Sequence, residues 1–116
     1  MIVAGILLLA ACAAPHRMTV QFERSGGFAG IRTTATIDAG SLSPEEARRL
    51  RELVDNAGFF DLPPVLSASA PGADRFQYKI TIETGNRKHT VELSDAAAPA
   101  SLRPLLQWLT QAARSR

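Results

Sequence analysis

The sequence predicts an α+β domain: a four-stranded antiparallel sheet with two helices on one face, in the order strand-strand-helix-strand-strand-helix. Three observations lead there. Two segments near the start alternate apolar and polar residues with a period of two. A second alternating pair surrounds a Gly-Asn turn. Each pair is followed by a segment whose apolar residues recur at helical spacing. Elements in this order pack as two layers, helices over sheet.

Residues 18–24, MTVQFER, put Met18, Val20 and Phe22 on one face and Thr19, Gln21 and Glu23 on the other. Residues 31–38, IRTTATID, put Ile31, Thr33, Ala35 and Ile37 inward. An antiparallel pairing with Arg24 opposite Ile31 sets Phe22 against Thr33, Val20 against Ala35, and Glu23 against Arg32. The last is an opposite-charge pair, which favours this register. It leaves residues 25–30 as a six-residue loop, longer than a tight hairpin requires.

The next element opens with Ser43-Pro44-Glu45-Glu46. Ser43 suits the N-cap, Pro44 the first helical position, and Glu46 closes a capping box. Ala47, Leu50, Leu53, Val54 and Ala57 form the apolar stripe, and Gly58 stops the helix in a left-handed conformation. GFFDLPP follows, with Phe59 and Phe60 closing one end of the core. Residues 63–75, PPVLSASAPGADR, carry no period and read as a long loop. Loops of that length are commonly functional or mobile.

With Gly85-Asn86 as a two-residue turn, the second hairpin has one register that satisfies both faces. Glu83 then faces Lys88 and Lys79 faces Glu92. On the inner face Ile82 meets His89, Ile80 meets Val91, and Tyr78 meets Leu93. Residues 100–113 form the last helix, with Leu102, Leu105, Leu106 and Leu109 inward and Trp108 over the core's edge. Pro104 is tolerated because the first turn's backbone donors are unpaired anyway.

Composition bounds the function. The chain has 116 residues, 46% of them hydrophobic and 21% charged, which is globular and sufficient for one modest core. The net charge is +2, and the Arg48, Arg49, Arg51 group alternates with Glu45, Glu46 and Glu52. No basic stripe with interleaved aromatics exists, so nucleic-acid binding is not indicated.

Residues 1–17, MIVAGILLLAACAAPHR, form a separate object from the domain at 18–116. Their apolar run is shorter than the ~20 residues that span a bilayer, and suits a secretory signal. Leu9-Ala10-Ala11-Cys12 resembles a bacterial lipobox, in which Cys12 is lipidated and anchors the protein in the cell envelope. No basic residue precedes the apolar run, so a second reading starts translation at Met18 and leaves the domain cytoplasmic. Cys12 is the single cysteine, so the chain holds no internal disulfide.

Catalytic chemistry is not visible. His16 lies in the leader linker and His89 in a strand opposite an isoleucine. No HExxH, CxxC or histidine-carboxylate cluster suggests a metal. Glu23, Glu45, Glu46, Glu83 and Glu92 have structural explanations; Asp61 and Asp74 flank a loop, where caps and turns use them. GGFAG is not a phosphate cradle, because a strand and not a helix follows it. The expectation is a protein without enzymatic activity and without a cofactor, acting as a monomer.

One feature is left over. Ser25, Gly26, Gly27, Phe28, Ala29 and Gly30 set one large apolar side chain among three glycines at a loop tip. Phe28 either folds back over the sheet or is presented to a partner.

The segments FERSGGFAGIR at 22–32, AGFFDLP at 57–63, ADRFQYKITIE at 73–83, HTVELSD at 89–95 and LRPLLQWL at 102–109 together resemble the emfourin family. Emfourins are bacterial protein inhibitors of protealysin and related thermolysin-type zinc peptidases. The resemblance implies a protein inhibitor whose partner is such a peptidase. These peptidases prefer a bulky apolar residue just after the scissile bond, so Gly27-Phe28 could enter the cleft as a substrate-like segment. Pro71, Gly72, Asp74 and Arg75 in the long loop are the second candidate contact, since stable interfaces bury about 800 Å² per partner. The rival reading is an envelope lipoprotein that serves as a binding or assembly module, with GGFAG docking to a protein that is not a peptidase.

Overall fold

The computed structural model describes residues 17–26, 30–66 and 76–115. Five strands form one sheet: β1 (Met18–Gly26), β2 (Ile31–Asp38), β3 (Val65–Leu66), β4 (Gln77–Thr84) and β5 (Arg87–Ser94). Two helices complete the fold, α1 (Pro44–Ala57) and α2 (Arg103–Arg114). The spatial order is β2-β1-β4-β5-β3, and every pairing is antiparallel except β3 with β5.

The period of two sorts the sheet into an apolar and a polar face. Val20, Ile37, Ile80, Ile82 and Val91 are fully buried, and Phe22 nearly so. They share one core with Leu50, Leu53 and Val54 of α1 and with Leu105 and Leu109 of α2, so both helices cover the same face. The opposite face carries Gln21, Glu23, Thr36, Lys79, Thr81, Thr90 and Glu92, and the Thr81 and Thr90 hydroxyls meet across strands at 2.9 Å.

The sequence expectation for α1 is met at both ends. Ser43 Oγ accepts from the Glu46 amide at 3.2 Å, and Pro44 starts the helix. Gly58 ends it with φ 60° and ψ 39°, and its amide donates to the Asp55 and Val54 carbonyls. All five residues of the expected apolar stripe are buried. The second hairpin also forms in the expected register, from Tyr78 opposite Leu93 to Glu83 opposite Lys88.

Four expectations are corrected. The sheet has five strands and is mixed, not four-stranded and antiparallel. Val65 and Leu66, inside the stretch read as a loop, pair parallel with Glu92 and Leu93, and the Glu92 amide donates to the Pro64 carbonyl at 2.8 Å. A two-residue strand is too short to show a period. It covers the edge of β5 that would otherwise present unpaired backbone groups.

The first hairpin is shifted by two residues from the expected register. Arg24 faces Thr33, Phe22 faces Ala35, and Val20 faces Ile37. A slip of two keeps every side chain on its face. It brings Ile37 to full burial opposite Val20, and burying an isoleucine contributes about 1.5–3 kcal/mol. The Glu23–Arg32 pair that favoured the other register is exposed and contributes at most about 1 kcal/mol. The charge pair survives as a diagonal contact at 3.4 Å.

Ile31, expected inward, is 64% exposed. It stands on the apolar-face parity at the end of an edge strand, beyond the residues that the helices cover. Lastly, α2 begins at Arg103 and not at Ala100; the Leu102 and Arg103 amides donate to Pro99 and Ala100 in a turn that precedes it. Its apolar stripe is buried as expected, and Trp108 is half-buried at the core's margin.

A Cβ placed on Gly58 would meet nothing within 4 Å, so a side chain there is opposed by the left-handed backbone alone. Gly58→Ala is expected to lower stability by about 1–2 kcal/mol, read as a lower urea midpoint at unchanged slope.

Candidate functional site

The site is built from the ends of strands. The β1–β2 ladder runs through Ser25 opposite Arg32 to Gly26 opposite Ile31. Ser25 and Gly26, expected in the loop, thus belong to β1, and the connection is shorter than six residues. Gly26 has φ 119° and Gly30 has φ 63°, conformations that favour glycine at both edges of that connection. Gly30 is exposed. Gly27, Phe28 and Ala29 lie outside the described residues, as do Pro71, Gly72, Asp74, Arg75 and Cys12.

The topology nevertheless places the flanks of both candidate segments at one end of the sheet. Ser25 pairs with Gln77 on its other side, so residue 76, which follows the second segment, emerges beside the first. Leu66, which precedes the second segment, pairs with Leu93, and Leu93 pairs with Tyr78. Both flanks of the second segment therefore leave the sheet at the end where Gly26 and Gly30 bound the first.

Three residues at this end escaped the sequence reading. Ile31 is one of two exposed large hydrophobic residues among those described. Arg24 stacks its guanidinium over the Phe76 ring, 3.7 Å from the centroid. Its Nε is buried and has no hydrogen-bond partner. One signal could have found Arg24: it falls in the same parity as Met18, Val20 and Phe22, a charge in step with core residues.

The remaining polar groups have structural duties. His89 Nε2 lies 2.7 Å from the Leu62 carbonyl, which can only accept, so that nitrogen carries the proton. The ring also stands edge-on to Phe59, centroids 5.6 Å apart at 76°. Phe59 is buried, Phe60 packs at the core's margin, and Arg87 lies over the Phe60 ring at 4.0 Å. This cluster closes the opposite end of the sheet, as expected for GFFDLP. Among the described residues no group of three or more histidines, cysteines and carboxylates could hold a metal. GGFAG leads into strand β2 and not into a helix, so it offers no helix N-terminus to a phosphate.

The sequence model of the emfourin family matches residues 22–110. The chain belongs to the emfourin family. A hydroxyethylthiazole kinase of Gemmatimonas aurantiaca is 33% identical over 95 residues, which are 82% of this chain and 34% of that protein. The chain thus spans about a third of that relative's length. Among solved structures, the emfourin (M4in) from Serratia proteamaculans, an M4 family peptidase inhibitor, aligns at 20% identity with a TM-score of 0.43. The alignment covers 76% of this chain and 84% of that one.

The position of His89 gives a test of its structural duty. His89→Leu leaves the Leu62 carbonyl without its donor. Stability is expected to fall by about 1 kcal/mol, the low end for a lost partner because both residues are half-buried. Urea unfolding reads the loss, and the inhibition assayed below should be unchanged.

Proposed function

We propose that this emfourin inhibits a thermolysin-type zinc metallopeptidase by presenting the segment at residues 25–30 to the active-site cleft as a substrate-like loop. The family match over residues 22–110 carries the proposal. Phe28 supplies the bulky apolar group such peptidases accept just after the scissile bond. The geometry around the segment supports the reading. Both of its ends are tied into the β1–β2 ladder, and β1 is an interior strand held on its other side by β4. A loop whose ends are already fixed loses less freedom on binding and recloses faster after cleavage.

The segment with Pro71, Gly72, Asp74 and Arg75 is the second contact in this proposal. Its flanks leave the sheet at the same end as the first, residue 76 beside Ser25 and Leu66 on the far edge strand, so the two can serve one face of the molecule. A single loop supplies too little area for a stable complex, where about 800 Å² per partner is usual. Exposed Ile31, paired with Gly26 at the edge of the first segment, adds apolar area to that face.

We also propose that residues 1–17 are a lipoprotein leader and 18–116 the inhibitory domain, with lipidated Cys12 holding a monomeric inhibitor at the cell envelope. The sequence Leu9-Ala10-Ala11-Cys12 supports this. Among the described residues no helix is long and apolar enough to cross a membrane. Metabolic labelling of the full chain with a palmitate analogue, lost in Cys12→Ser, tests the anchor.

Titration of residues 18–116 against a thermolysin-type peptidase tests the function. Tight, saturable inhibition is expected. Phe28→Ala should weaken it by about 2 kcal/mol or more, roughly thirtyfold, as for a central aromatic anchor. Cleavage between Gly27 and Phe28 without inhibition would overturn the loop mechanism. No inhibition of several such peptidases would leave a binding module for another protein.

A further inference from the structure

We infer that Arg24, stacked on Phe76, is a docking point for a carboxylate on the inhibited peptidase. The inference rests on the inhibitory reading above and names a contact that the reading does not contain.

Arg24 sits at the sheet end from which both candidate segments leave, two residues before Gly26. Its neighbours in the sheet are Thr33 and Tyr78, neither of them acidic. No described carboxylate forms an ion pair with it. The nearest acidic residue in sequence, Glu23, projects from the other face of the sheet and pairs with Arg32. Arg24 Nε is buried without an acceptor, while the residue as a whole is half-buried.

The group is also held in place. Phe76 packs at the margin of the core, and its carbonyl accepts from the Asp95 amide at 2.9 Å. The ring therefore forms a fixed platform, and the stacked guanidinium is ordered before any partner arrives. A planar guanidinium fits a carboxylate through two parallel hydrogen bonds.

The stack on Phe76 favours folding, but the buried Nε works against it. A buried donor without an acceptor opposes folding, because its hydration is lost and nothing replaces it. Methionine would bury the same apolar stem against Phe76 and leave no unpaired donor. The carboxylate is assigned to the outer guanidinium nitrogens, because Nε itself is shielded from solvent.

The test is Arg24→Met in residues 18–116, assayed for thermal stability and for inhibition of a thermolysin-type peptidase over a range of salt concentrations. A docking role predicts a melting temperature equal to or above that of the unsubstituted domain. It also predicts inhibition weakened about tenfold or more, with a shallower dependence on salt. Unchanged inhibition, or a variant that melts several degrees lower, would overturn the inference while leaving the inhibitory reading intact. Failure of the unsubstituted domain to inhibit would remove that reading and the inference together.

Discussion

The structure depends on one face of strand β1. Val20 stands between Ile37 and Ile82, and Phe22 between Ala35 and Ile80. These rows continue across β4 to His89 and Val91. Two ranks of largely apolar side chains thus cross four strands, and both helices close over them. Burial of each large member contributes about 1.5–3 kcal/mol, more than a helix cap or an exposed ion pair. Register, strand order and helix placement all follow from keeping these ranks continuous.

The third rank is where the pattern breaks. Thr33, Arg24, Tyr78 and Leu93 lie side by side, and a cation replaces the apolar residue of β1. Ile31, one rank further on, is exposed. The ladder continues past the point where the core ends, to Gly26 opposite Ile31. Backbone pairing without side-chain burial does little for stability, but it fixes where the connecting segment leaves the sheet. A rigid base beneath variable connections is how many binding proteins separate folding from recognition.

The legible parts of the sequence were those in which independent signals coincide. For α1, a cap, a proline, a glycine and an apolar stripe agree, and each is found in its place. For the second hairpin, a turn and two faces agree on one register. The first hairpin had only a charge pair to choose between registers that share the same faces, and an exposed pair is too weak to choose correctly. Strand β3 was illegible because two residues define no period, and its partner, β5, lies more than twenty residues away. In the candidate site the glycines were legible. Arg24 was not, because its role depends on Phe76 across the sheet, a contact that no local pattern encodes.

The two ends of the sheet repeat one device with different results. Arg87 lies over Phe60 at one end and Arg24 over Phe76 at the other, at 4.0 and 3.7 Å. Arg87 is exposed, so water satisfies its donors and the stack simply covers an aromatic ring. The same end is sealed by Phe59 and by the His89 bond to the Leu62 carbonyl. Arg24 is half-buried and its Nε has lost water without gaining an acceptor. The stacking geometry is therefore common to both ends, and the unmet donor is particular to one. That end is also the one at which Gly26, Leu66 and Phe76 stand at the limits of the described chain. Among the described residues both buried side-chain polar atoms that lack a hydrogen-bond partner, Arg24 Nε and Ser94 Oγ, lie at that end, and the opposite end has none.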